Sequence, residues 1–173
     1  MLAYVFFHRA GSGAEVAAYE TALRQFHASL AAEPPSGFIE STSYRIGDGY
    51  ADWYLVENSA ALDPLNEAAV SAARAASHDS VAHMSTDGAG KLLALISGRP
   101  KIEPGFEIRL SKPKGMSYRD FYERLEPWTS RDGLTLWRRM MVLGPPPEFC
   151  LVAPSKIQLP AAMSPETLQR ETI

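Results

Sequence analysis

Cysteine is almost absent: Cys150 stands alone among 173 residues, so no intrachain disulfide can form. Long apolar runs are missing too. Residues 2–7 and 92–96 are the main ones, and both fall far short of the ~18 residues of a membrane-spanning helix. Residues 2–7 also have no basic residue ahead of them and are too short for the apolar core of a secretory signal. There is no surplus of positive charge. Seventeen Lys and Arg face twenty Asp and Glu, a net charge of −3 that provides no basic field for wrapping nucleic acid. No H-E-x-x-H pattern, P-loop or Ser-His-Asp constellation occurs, and no metal site is expected. These absences predict a soluble, cytoplasmic chain with no membrane and no nucleic-acid partner.

What is present is an ordinary globular composition, 46% hydrophobic and 21% charged, with enough length for one large domain or two small ones. Residues 2–8 are aromatic and β-branched and stop at Gly11-Ser12-Gly13, which reads as a strand and a turn. That glycine turn lacks the third glycine of a dinucleotide fingerprint. Val16, Tyr19, Leu23, Phe26 and Leu30 recur at spacings of three and four, the stripe of an amphipathic helix with Glu20 and Arg24 on its wet side. Pro34-Pro35 ends it. Residues 38–46 and 50–56 read as strands joined by a tight turn at Gly47-Asp48-Gly49. Asp63-Pro64 signals the start of an alanine-rich helix to about Arg74, with a break at Ser77-His78-Asp79 and a short helical piece to Met84. Asp87-Gly88-Ala89-Gly90 reads as a turn before a buried strand at 91–96. The first 98 residues thus read β-α-β-β-α-β, the ferredoxin-like order.

The order then restarts. A strand at 106–110 leads to a helix capped by Ser117 with a stripe of Tyr118, Phe121, Tyr122 and Leu125. Strands at 134–143 and 148–152 flank the stiff turn Pro145-Pro146-Pro147. Gly37 and Gly133 lie 96 positions apart. At that offset Asp52-Trp53-Tyr54-Leu55-Val56 falls on Glu148-Phe149-Cys150-Leu151-Val152. This matches an ancestral duplication, with residues 1–98 as one ferredoxin-like repeat and 99–173 as a truncated second. The last strand of the second copy would lie beyond Ile173. The proline-rich tail from 154 is expected to supply at most one short helix near 164–170, leaving a strand edge open. Such an edge attracts partners, and a second copy, as a homodimer, could cover it.

Two ferredoxin-like repeats packed sheet to sheet as a pseudo-twofold barrel resemble the dimeric α+β barrel superfamily in fused, single-chain form. The resemblance spans residues 2–152 and rests on element order and the repeat, with no subfamily motif. It implies an α+β barrel with a site between a sheet and its helices or inside the barrel. It also implies activities that range over cofactor-free monooxygenases, haem-degrading and haem-dependent enzymes, isomerases and dehydratases. Three functions follow: a small-molecule binder acting as a cofactor-free oxygenase or isomerase, a haem-binding or haem-dependent enzyme, and a non-catalytic interaction module. The cofactor and the question of catalysis itself stay open.

The residues offer several candidates. His8 ends the first strand near a barrel mouth and could transfer protons. Arg109, Trp137 and Arg139 share strand parity that would turn them away from the helices. With Tyr54 they could bind a planar or anionic molecule by charge and stacking. Asp52 and Glu148, equivalent by the repeat, could form a carboxylate pair. His27 beside Phe26 reads as a partly buried helix residue, and Cys150 as a small buried hydrophobe.

Overall fold

The computed structural model describes residues 1–173. Eight strands and four helices follow one another as β1 (Leu2–Ala10), α1 (Val16–Ala32), β2 (Phe38–Ile46), β3 (Gly49–Val56), α2 (Leu62–Ala69), α3 (Ala75–Met84), β4 (Ser85–Ser97), β5 (Gly105–Leu110), α4 (Tyr118–Thr129), β6 (Thr135–Arg139), β7 (Phe149–Ala153) and β8 (Glu166–Thr172). All strand pairs are antiparallel and close a barrel in the order β1-β3-β2-β8-β5-β7-β6-β4. No helix is long and apolar enough to cross a membrane.

Strand parity sorts the side chains into two layers. Ala3 and Val5 of β1, Trp53 and Leu55 of β3, Trp137 of β6, and Cys150 and Val152 of β7 pack together inside the barrel. The opposite parity faces the helices. Leu2, Tyr54 and Val56 meet Phe26 and Leu30 of α1 in the first half. Ile108, Leu110, Leu136 and Phe149 meet Phe121 and Leu125 of α4 in the second. In β5 the alternation sets the faces as expected, with Ile108 under α4 and Glu107 inward; in β6, whose two parities are both mixed in sequence, Leu136 lies under α4 and Trp137 points inward.

The tail differs from expectation. Residues 166–172 form a strand, not a helix. β8 pairs with β5 from Gly105↔Arg170 to Arg109↔Glu166 and with β2 at Tyr44, Arg45 and Ile46. It therefore fills the edge that the sequence suggested was open, and a closed barrel has no edge to offer a partner. Smaller differences have local causes. β4 runs straight through the expected turn at 87–90, absorbing it with Asp87 at φ 57. β6 stops at Arg139, and residues 140–148 form a loop with Met141 and Val142 exposed. The helix break falls at 70–74, ahead of Ser77. Asp63 lies in the first turn of α2, not at its cap. Glu20 is buried under Arg45 and Tyr50, which hydrogen-bond its carboxylate, so it is not on the wet face of α1.

The 96-residue offset also slips. A slip of one residue from true equivalence moves every side chain of a strand to its other face. Trp53 points into the barrel, whereas Phe149, its partner at 96, packs under α4. Structural equivalence between β3 and β7 thus requires an odd offset.

Residues 1–164 alone would leave the edges of β2 and β5 bare. This truncation is expected to lose the cooperative thermal transition and to aggregate, as read by calorimetry and gel filtration. A sharp transition and a monomeric peak would refute the closing role of β8.

Candidate functional site

The helix-facing side of β1 carries Tyr4, Phe6 and His8, and that of β3 carries Tyr50, Asp52 and Tyr54. Asp52 sits opposite Phe6 on one side and Ser43 of β2 on the other. α1 crosses this sheet with Tyr19, Leu23, Phe26, His27 and Leu30 buried against it. Asp52 is 3% exposed, so its carboxylate needs polar partners in place of water.

Those partners all donate toward it. The Ser43 hydroxyl donates to Asp52 Oδ1. His27 Nε2 lies 2.9 Å from Ser43 Oγ and 3.6 Å from Asp52 Oδ1, and its Nδ1 lies 2.7 Å from Ser41 Oγ. His8 Nε2 lies 3.1 Å from Asp52 Oδ1, within ion-pair reach but off the line of a good hydrogen bond. Its other nitrogen, Nδ1, is 2.5 Å from the Tyr19 hydroxyl. Tyr54 donates to Asp52 Oδ2 at 3.4 Å. One proton assignment satisfies the whole set. Tyr19 and Ser41 donate to the two Nδ1 atoms, and both Nε2–H groups point to Asp52 or to Ser43 beneath it.

The energetics agree with this arrangement. Burial alone would push the Asp52 carboxyl up. The polar contacts of His27 and then His8 outweigh it and hold Asp52 below the usual carboxylate range. Burial and the Asp52 charge push the Tyr54 and Tyr19 phenols up, so both stay protonated as donors.

Above Asp52 opens a cavity of about 740 Å³ between the first-half sheet and α1, α2 and α3. Its floor is Asp52 with Tyr4, Phe6 and Tyr54, its walls include Phe26 and Leu65, and its rim includes Asp63 and His78. Gly90 makes room for this floor: a Cβ there would lie 2.7 Å from the Tyr4 hydroxyl. The loop after β6 adds Leu143 and Gly144 to the wall. In the second half the same layer is packed solid, with the Phe121 and Phe149 rings 4.6 Å apart.

The structure brings His8 and Tyr54 together around Asp52 but separates the other named residues. Trp137 is buried in the barrel, donating to Thr135 and packed edge-on to Trp53. Arg139 donates to the Gly144 carbonyl. Arg109 is bound to Glu107 at 2.7 Å and opens to a different cleft. No large cavity joins these three, because the two tryptophans fill the barrel and leave only about 10 Å³ beside them. Asp52 and Glu148 do not pair either. Glu148 lies by α4, accepting from Tyr118 at 2.8 Å. Tyr19, His27, Ser41 and Ser43 were not singled out as functional. The available signals were two. His27 falls on the buried stripe between Leu23 and Leu30, and Asp52 is a lone acid amid the apolar residues 50–56 with the parity of two tyrosines.

The floor offers a haem no imidazole ligand: His8 and His27 have their ring nitrogens directed to Tyr19, Asp52, Ser41 and Ser43, and the floor is an anion. His78, whose Nδ1 faces Asp79, is the histidine lining the cavity.

No known family's sequence pattern matches the chain, and no curated protein matches it. Solved structures do match by shape. A crystal structure named for a monooxygenase from Lactobacillus acidophilus superposes with a TM-score of 0.62 at 10% identity, covering 99% of this chain and 93% of that one. One named for a chlorite dismutase gives 0.60 at 13% identity, covering 99% and 94%. An anthrone oxidase-like protein gives 0.58 at 11%, covering 99% and 91%. At these identities the likeness shows the α+β barrel fold.

Asp52→Ala, which strands the buried donors, is expected to cost about 3–5 kcal/mol in chemical denaturation. The folded carboxyl is held below its unfolded value. Its stabilisation is therefore complete above about pH 4 and is lost as pH falls through the folded value. Asp52→Asn should flatten that part of the acid stability profile. An unchanged profile would show that Asp52 is not the group being held.

Proposed function

We propose that the first-half cavity binds a small planar molecule carrying an acidic hydroxyl or enolisable C–H, and that Asp52 takes its proton as the opening step of cofactor-free oxygenation or isomerisation. The observation that carries this reading is an ionised carboxylate at the floor of an aromatic-walled cavity. Aromatic faces favour planar partners, and the Asp52 charge favours a hydrogen-bond donor over an anion. The names of the similar structures, a monooxygenase and an anthrone oxidase-like protein, point the same way.

In this step the ligand's O–H or C–H bond breaks, its electron pair stays on the ligand, and the proton joins Asp52 Oδ2, the oxygen beside Tyr54. The resting carboxylate is a weak base. The anion formed next to it in an apolar space repels its charge and raises its proton affinity. Ser43, His27 and His8 hold Oδ1 and leave Oδ2 to the ligand, so they act as positioning residues. Tyr54 can donate to the new oxyanion. Dioxygen is the co-reactant that would oxidise the anion in an oxygenase, while reprotonation at another carbon would complete an isomerisation.

The duplication is part of the same reading. We infer that residues 1–98 and 99–173 descend from one ferredoxin-like unit. The strand order supports it, since β4-β1-β3-β2 is followed by β8-β5-β7-β6. The second copy keeps its fourth strand and has lost the helices before it.

Anthrone is a suitable probe. The wild type is expected to bind it with a spectral shift and to consume oxygen. Asp52→Asn should still bind it but turn over at least about 100-fold more slowly, the usual weight of a proton-transfer group. Full turnover by Asp52→Asn, or no binding of any planar phenol or enol, would overturn the proposal. Hemin should give no Soret shift on titration, and a shifted band would favour the haem reading instead.

A further inference from the structure

A second cleft, of about 260 Å³, opens at the end of the barrel beside Phe7 and the Pro145-Pro146 turn. Two cations reach into it from inside the barrel. Lys91 Nζ lies 5.4 Å and the Arg109 guanidinium carbon 4.8 Å from the centre of the Phe7 ring. Lys91 is 5% exposed, yet its ammonium has no carboxylate within ion-pair distance. Its one hydrogen bond goes to the Pro147 carbonyl at 3.4 Å. Arg139 and Arg170 also extend into this interior layer, and Glu107 is the only acid buried with them.

A buried charge without a partner is expensive to keep. Three carboxylates at the cleft do not relieve it. Asp48 and Asp87 are exposed and held by Arg9 at 3.0 and 3.3 Å, and Glu166 is exposed and 4.0 Å from Arg109. They form a solvated rim around a positive floor. Burial also pushes the Lys91 ammonium down, toward losing its proton.

We propose that this cleft is a binding site for a small oxyanion, a carboxylate or phosphate of a few heavy atoms, held between Lys91 Nζ and the Arg109 guanidinium. Glu107 engages Arg109 through Nε, and the exposed Glu166 lies 4.0 Å from Nη1, so an entering anion displaces Glu166 to use the two terminal nitrogens as a fork. Lys91 supplies the opposing point charge, and an anion there favours its protonated form. The volume admits a small ion and excludes a drug-sized ligand. Arg109 thus keeps an anion-binding part, with Lys91 as its partner in place of Trp137 and Arg139.

The test is a titration of the whole chain with sodium phosphate and, separately, sodium acetate, at constant ionic strength set with chloride. At least one is expected to raise the melting temperature saturably. It should also shift the side-chain ¹⁵N resonances of Lys91 and Arg109 while leaving that of the distant Arg119 unmoved. The two salts distinguish tetrahedral from planar oxyanion preference. Lys91→Met is of similar volume and removes an unpaired buried charge, so it should fold and lose the melting rise. Arg119→Gln, exposed on α4 and outside the cleft, should keep it. Lack of saturation with both salts, resonance shifts spread over the surface, or an equal rise in Lys91→Met would overturn the proposal. The resonance shifts decide the matter even if Lys91→Met is unstable.

Discussion

One negative charge organises the first half of this molecule. Asp52 is almost wholly buried, and an ionised group in such a place survives only if neighbours replace most of its hydration. The replacements come from three separate elements: His8 from β1, Ser43 from β2 and His27 from α1. Meeting that demand fixes the height and rotation of α1 over the sheet. A helix shifted by one residue would turn His27 away and leave a bare carboxylate. Tyr19 and Ser41 form an outer ring that sets the imidazole tautomers.

The same constraint explains why the two halves are so unlike despite their shared strand order. The layer between sheet and helices can be filled in two ways. The second half fills it with hydrocarbon, through Phe121, Leu125, Phe149 and Leu151, and has nothing polar to satisfy. The first half places a charged network there, spaces α2 and α3 outward, and keeps an opening above the charge. Packing density and polar satisfaction thus pull in different directions in the two halves. In the second half the only helical piece before β8 is a single turn at Ala161–Met163, so no wall stands there for a cavity.

Much of this architecture was legible in the chain. The stripe from Tyr19 to Leu30, the hairpin at Gly47 and the alternation in 106–110 each follow from local periodicity, and each is found. β8 was not legible, because Glu-Thr-Leu-Gln-Arg-Glu-Thr is polar and follows Pro160 and Pro165. What makes it a strand is the pair of bare edges on β2 and β5, a long-range demand that no local pattern carries. The site is legible only in part. A strand-end position singles out His8, which lies beside Asp52. The repeat pairs Asp52 with Glu148, at an offset that puts the two on positions the structure does not bring together. Tyr19 and His27 were hidden among core residues, since a helix stripe records burial and not the chemistry of what is buried.

The loop joining β6 to β7 borders two chambers at once. Residues 140–147 belong to the second half, yet Leu143 and Gly144 line the first half's cavity, tied to β4 by hydrogen bonds between Leu92 and both Leu143 and Met140. Pro145 and Pro146 go on to line the barrel-end cleft. One connector therefore trims two compartments while touching the ladder at Leu92 of β4. Insertions or deletions beyond that anchor would resize both chambers together. Ligand range in this scaffold can drift by changes in loop length alone, without a substitution in either sheet.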